Sequence, residues 1–263
     1  MPDPVTAARA LAPSPFDRPA SIFLAIETAG SGCSVAVARD GAVLAAECRV
    51  LRHGHAEALF PMVERVMDRA GLSPSQLDAV AVAIGPGGFT GIRVGLAAAH
   101  GIALATGARL VGVTSFAAVA ARAAATRGGH CPALLVAIDS RRADLYVQLF
   151  ASDATAPLGP PQALLPVHLA DFVASLASGS ASGFAVGAPL LIAGDAAAAA
   201  AAALEERVGC VIAADSAPDA EGVAAAALRQ LRGAPPAGPV RPLYLRPPDV
   251  TLPPRRRPAS AAP

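Results

Sequence analysis

One pattern occurs twice in this chain, about a hundred residues apart, and it restricts the fold more than any other feature. Ser21-Ile22-Phe23-Leu24-Ala25-Ile26-Glu27-Thr28 is a continuous apolar run of strand length that ends on an acid and a hydroxyl. Ala29-Gly30-Ser31-Gly32 then turns the chain, and residues 33–38 run back as a second strand. Leu134-Leu135-Val136-Ala137-Ile138-Asp139-Ser140, a short polar turn and Leu145-Tyr146-Val147-Gln148-Leu149-Phe150 repeat that order. Two ordinary hairpins can match by coincidence, but position and pattern agree well enough to read a duplicated α/β domain.

Between the echoes the period changes as such a domain requires. Asp40-Gly41 is a hairpin signal leading into a strand at 42–50. From His55 onward Leu59, Met62, Val63, Val66 and Ala70 recur at helical spacing, and Gly71 stops the run as a C-cap residue does. Residues 78–84 form a buried strand broken by Gly85-Pro86-Gly87-Gly88, and Thr90 is placed to cap a helix reaching about Ala105. A short strand at 110–113 follows, and Ser115 is placed to cap a helix reaching Arg127. The second half is less patterned: a Pro-rich connection at 157–166, a strand at 190–193, an alanine-run helix at 195–208 and a last helix at 220–232. The expected divisions are a disordered Pro/Ala-rich leader at 1–20, a first lobe at 21–128, a second, reduced lobe at 129–250 and a disordered Pro/Arg tail at 251–263. Arg255-Arg256-Arg257 lies in that tail.

Composition excludes several classes. All 21 basic residues are Arg, against 20 acids, so the formal net charge is only +1 and gives no electrostatic reason for tight binding to a nucleic acid backbone. Aromatics make up 4%, with no Trp and only Tyr146 and Tyr244 as tyrosines, which argues against stacking platforms for single strands. Cys33, Cys48, Cys131 and Cys210 are scattered without a C-x-x-C pair and read as small hydrophobes of a reduced, cytosolic core. Mean hydropathy is +0.49, yet the most apolar stretch, 93–109, reads as too short and too weakly apolar to span a bilayer. The leader has no continuous apolar segment, so the expected location is the cytoplasm.

Few residues carry chemistry. Gly85-Pro86-Gly87-Gly88-Phe89-Thr90-Gly91-Ile92-Arg93-Val94-Gly95 sits between a strand and a helix, where backbone N–H groups suit a phosphate. It lacks the Lys-Ser/Thr of a P-loop, and its spacing favours a tight turn with glycines for close packing. Gly91, Gly95, Ala99 and Ala103 form a stripe of small residues whose neighbour is either the protein's own sheet or a helix of another chain. Arg93 and His100 point elsewhere, as rim contacts. His53 and His55 are two apart and do not form a helical metal site, and no H-E-x-x-H or G-x-S-x-G occurs. Glu27 and Asp139, at the ends of the repeated strands, stand where a duplicated nucleotide-binding fold would hold magnesium or phosphate, or alternatively where a turn needs capping. With Thr28, Gly85, Gly87, Gly88 and Gly194 they outline a nucleotide or phosphate site that reads as eroded, because only Gly194-Asp195 followed by alanines marks the second half.

Ile26-Glu27-Thr28, Gly54-His55-Ala56-Glu57-Ala58-Leu59-Phe60-Pro61, the run from Gly85 to Gly95, Gly112-Val113-Thr114-Ser115 and Pro242-Leu243-Tyr244-Leu245-Arg246-Pro247 together resemble the TsaB (YeaZ) family. The resemblance covers roughly 21–250 and is dense in the first half. It implies an actin-like ATPase (ASKHA) fold, two related α/β lobes with mixed sheets. It further implies a non-catalytic dimerisation subunit of the machinery that forms N6-threonylcarbamoyladenosine at position 37 of tRNAs reading ANN codons. The related transferase, TsaD, carries a metal-binding H-x-x-x-H pair where this chain has Thr114-Ser115-Phe116-Ala117-Ala118, so neither a catalytic residue nor a metal ligand is expected here. The implied partners are a TsaD-type catalytic subunit and a TsaE-type ATPase, with a homodimer when alone and tRNA met only through the complex. ATP or ADP, Mg and a metal are expected on the partners, and no cofactor on this chain. The implied interface is a four-helix contact carried by His55, Leu59, Met62, Val63 and Val66 on one helix and Gly91, Arg93, Gly95, Ala99 and His100 on the next. Two rivals are an actin-like ATPase or sugar-kinase relative using Glu27, Asp139 and the Gly85 loop, and a metallopeptidase, which the missing histidine pair opposes.

Overall fold

The computed structural model describes residues 21–51, 53–126, 133–151, 156–177, 190–204, 210–212, 217–233 and 239–246. The expectations for the leader, the tail, Arg127 and residues 205–208 lie outside them. Strand β1 (Ile22–Glu27) pairs antiparallel with β2 (Gly32–Arg39), and β2 pairs antiparallel with β3 (Ala42–Val50). Helix α1 (His55–Ala70) leads to β4 (Ala79–Ala83), which lies parallel to β1, and α2 (Phe89–Thr106) leads to β5 (Arg109–Val113), parallel to β4. The sheet order is β3-β2-β1-β4-β5. After α3 (Ser115–Thr126), the strands β6 (Leu134–Asp139), β7 (Leu145–Phe150) and β8 (Gln162–Leu164) form a second antiparallel meander. Helix α4 (Leu169–Ala177), β9 (Leu190–Ala193), α5 (Ala197–Leu204) and β10 (Cys210–Ile212) add two parallel strands, giving β8-β7-β6-β9-β10. The second sheet therefore repeats the first strand for strand.

Local chemistry accounts for the joints. Asp40 and Gly41 both take positive φ, 53° and 94°, which gives the β2–β3 turn the twist a two-residue hairpin needs. Gly71 closes α1 in the left-handed conformation, with its own N–H on Asp68 O and that of Leu72 on Met67 O. Two caps differ from expectation. Gly88, not Thr90, is the N-cap of α2, and Thr114 rather than Ser115 caps α3 by accepting from Ala117 N at 3.0 Å. In the second lobe β8, α4 and β10 are elements that the sequence did not announce.

The last helix corrects the lobe boundary. Helix α6 (Ala220–Arg232) packs over β1, β2, β4 and β5, and Val223, Ala224 and Ala227 share a core with Phe23, Ile26 and Val82. With α1 and α2 also packed on that sheet, β1 is covered on both faces, which explains its uninterrupted apolar run. Asp219 caps α6 through Gly222 N at 2.7 Å, Ala220 N donates to Ser34 Oγ at 2.9 Å, and Arg122 of α3 pairs with Asp219 and Glu221. Residues 220–232 thus belong to the first lobe, and α3 packs between α6 and the second sheet. Within residues 239–246, Leu243 N donates to Ile84 O of the first lobe at 2.8 Å, while Leu245 packs on the core of the second. By length and composition alone α2 does reach what a membrane span needs, contrary to the reading of 93–109, but here it is a helix of the first-lobe core. Cys33 is buried as expected, whereas Cys48 on the edge strand is exposed.

Candidate functional site

The two strand-end acids serve their own turns. Glu27 is 2% exposed, and its Oε1 accepts from Ala29 N at 2.7 Å and Gly30 N at 2.9 Å. Burial pushes its carboxyl up to about 8, helped by the nearby Asp219 and Asp195 and opposed by the two backbone donors. Thr28 donates to Gly91 O at 2.7 Å and so ties β1 to α2. Asp139 is exposed, accepts from Arg141 N at 2.7 Å and donates its own N–H to Asp195 Oδ1 at 2.8 Å. Each acid therefore caps its own turn.

Gly85 and Gly87 of the loop face protein backbone. A Cβ on Gly87 would lie 2.2 Å from Ala29 O, and Gly88 N–H already donates to Ala29 O at 2.7 Å. Gly85, at φ +103°, would put a Cβ 2.8 Å from Leu243 O, and Gly194, at φ +115°, would put one 1.8 Å from Ala137 O. These positions are glycine because backbones pass each other there.

The stripe on α2 faces the protein's own sheet. A Cβ on Gly91 would sit 1.9 Å from Thr28 O, a Cβ on Gly95 would sit 2.4 Å from Thr28 Oγ1, and Ala99 is fully buried. Leu59, Met62 and Val66 are equally buried, while His55 and Val63 are half-buried. The expected interface set is therefore corrected. Its most periodic members form the face that each helix gives to its own lobe, and only Arg93 and His100 are exposed. The solvent face of α2 carries Arg93, Ala97, His100 and Leu104, spaced by four, three and four residues and hence on one stripe. On α1, which touches α2, Phe60 is 52% exposed; Leu104 is 88% exposed.

A cleft of about 720 Å³ separates the lobes. It lies between the Gly85 loop with the start of α2, the β6–β7 turn, and the segment from Leu243 to Arg246. Arg141 reaches across it to donate to Gly30 O at 2.9 Å, and Arg246 Nε pairs with the almost fully buried Asp144 at 2.9 Å. The Arg93 guanidinium lies 3.5 Å from the centre of the Phe89 ring, which meets Tyr244 at 5.1 Å. Sequence reasoning singled out Arg93 alone among these arginines. Arg141-Arg142 in the repeated hairpin was the signal available for two more. Among the described residues no three His, Cys, Asp or Glu side chains are grouped so as to hold a metal ion.

Two lobes with one repeated sheet order, facing each other across a cleft lined by their turns, place the protein in the actin-like ATPase class of α/β folds. Residues 49–156 match the family model of TsaD, tRNA N6-adenosine threonylcarbamoyltransferase. The chain is 36% identical over 124 residues to the Escherichia coli tRNA threonylcarbamoyladenosine biosynthesis protein TsaB, covering 47% of this chain and 52% of that one. It is 30% identical over 129 residues to the Bacillus subtilis protein of the same name, covering 49% and 54%. The solved structure of YeaZ from Pseudomonas aeruginosa superimposes with a TM-score of 0.67 at 27% identity, over 86% of this chain and 100% of that one. These similarities support membership of the TsaB (YeaZ) family. The chain spans about half the length of the curated relatives it matches.

Proposed function

We propose that this chain is a non-catalytic subunit that binds and supports a TsaD-type transferase in forming N6-threonylcarbamoyladenosine at position 37 of tRNAs reading ANN codons. A TsaE-type ATPase completes the assembly, and the chain pairs with itself when alone. In this reading ATP or ADP, Mg and the metal reside on the partner subunits, and the complex works in the cytoplasm. The observation that carries the reading is that Phe60 on α1 and Leu104 on α2 are both uncovered, on a chain similar to TsaB proteins. Leu104 shares its stripe with Arg93 and His100, an exposed apolar side chain beside polar ones, which is the composition of an interface centre with its rim. The rival ATPase reading has less support, since Glu27 is held inside its own turn.

The test is a Phe60→Glu, Leu104→Glu variant. Both positions are exposed, so its circular dichroism and unfolding midpoint stay those of the parent. Co-elution with the TsaD-type subunit and threonylcarbamoyl transfer to tRNA are lost together. A variant that binds and supports transfer normally would remove this face from the account.

A further inference from the structure

We propose that the cleft between the lobes contacts RNA: its arginines take phosphates of the strand, and Phe89 with Tyr244 offers a stacking surface for a base. Near-neutral overall charge hides this feature. Arg93, Arg141, Arg142 and Arg246 line one cleft in which Asp139 is the lining acid, and four positive charges exceed the three negative ones when Asp144 behind Arg246 and Asp195 behind Asp139 are counted. Aromatics are scarce overall, yet both tyrosines and Phe89 line the same walls. Arg93 already stacks on Phe89 at 3.5 Å and Phe89 on Tyr244 at 5.1 Å, so a ring-and-guanidinium surface is preassembled. Arg141 gives one donor to Gly30 O and Arg246 pairs through Nε, and a guanidinium has five N–H donors. All four arginines are exposed.

The geometry favours a strand over a small phosphate. A compact phosphate site needs converging backbone N–H groups, whereas the Gly88 N–H is committed to Ala29 O and the other loop glycines are packed against backbone. Guanidinia carried by three separate segments around an open cleft instead suit several phosphates of one strand, contacts that position it without reading its sequence. Such a contact departs from the expectation that tRNA is met only through the partners.

Binding of fluorescein-labelled tRNA to the full chain is followed by anisotropy across a salt series. Four phosphate contacts give a log–log salt slope of about −2.8, so raising salt from about 0.05 to about 0.2 M weakens binding about 50-fold. Arg93→Ala with Arg142→Ala halves the slope, leaving a loss of about 7-fold over the same range. The corresponding double lysine variant keeps the parent slope, which shows that charge and not folding is at issue. The proposal is overturned if polyglutamate binds as well as tRNA, or if the double alanine variant keeps the parent slope. It is equally overturned if ADP or pyrophosphate saturates the cleft while tRNA binding ignores the variants, which would make this a small-phosphate site. The inference rests on the proposed function only in the choice of tRNA as probe. Binding is read without the transferase, so failure here leaves the subunit reading standing, and failure of transfer leaves this one standing.

Discussion

Replacing Glu27 with Gln changes one proton-binding site and leaves the shape of the β1–β2 turn alone. The amide oxygen can still accept from Ala29 and Gly30, which lie 2.7 and 2.9 Å from the carboxylate oxygen in the parent. Burial lifts the native carboxyl from an ordinary 4.5 to about 8, whereas in the unfolded chain it ionises near the ordinary value. Between those two values the unfolded state releases a proton that the native state keeps, so stability falls as pH rises, by at most about 1.4 kcal/mol per unit. The stabilisation is complete below about pH 4.5 and lost above about 8, and the whole window amounts to roughly 4–5 kcal/mol as an upper figure. Glu27→Gln has no proton to release and escapes that loss. Asp195 and Asp219, whose carboxyls are also raised by burial, titrate alike in both proteins and cancel in the comparison. Urea unfolding followed by circular dichroism at intervals from about pH 5 to about pH 9 reads the difference directly. The variant gains on the parent steadily with pH and is the more stable protein at the alkaline end. A gap that stays constant within about 0.5 kcal/mol across the series would mean that Glu27 ionises as freely in the fold as outside it, and the reasoning would fail.

Other substitutions probe the packing. Gly95→Leu drives a side chain into Thr28 and the β1–β4 surface, so the isolated chain loses about 3 kcal/mol or more; an unchanged melting temperature would put the stripe back on the surface. Thr28→Val removes the hydroxyl that donates to Gly91 O, which keeps its helical bond from Gly95 N–H, for a loss of about 0.5–1.5 kcal/mol in chemical denaturation. Arg246→Ala strands the Asp144 carboxylate, which is 3% exposed; since Arg246 itself is 41% exposed, the expected loss is roughly 1–3 kcal/mol, and adding Asp144→Asn recovers most of it.

What was legible in the sequence was local. The repeated strand–turn–strand units, the Asp40-Gly41 turn and the Gly71 cap each rest on residues adjacent in the chain, and each is found where expected. The choice of sheet for α6 was not legible, because Val223, Ala224 and Ala227 declare an apolar face without saying which strands it meets. The same limit governed the interface helices. Periodicity in α1 and α2 marks the side that enters the core, so Leu59, Met62, Gly91 and Gly95 were read as contacts when they are foundations. A contact face is identified by what remains, as at Phe60 and Leu104, and that requires knowing what the core has taken. The cleft was hidden for another reason: its arginines come from α2, the β6–β7 turn and the last described segment, and only folding assembles them.

The central claim is that this chain supports a transferase rather than acting alone. Its most direct test is an omit-one reconstitution of threonylcarbamoyl transfer to tRNA, using TsaD-type and TsaE-type proteins of the same source with and without this chain. The account predicts that transfer collapses when the chain is left out and that the chain by itself transfers nothing. Equal transfer by the partners in its absence would contradict it.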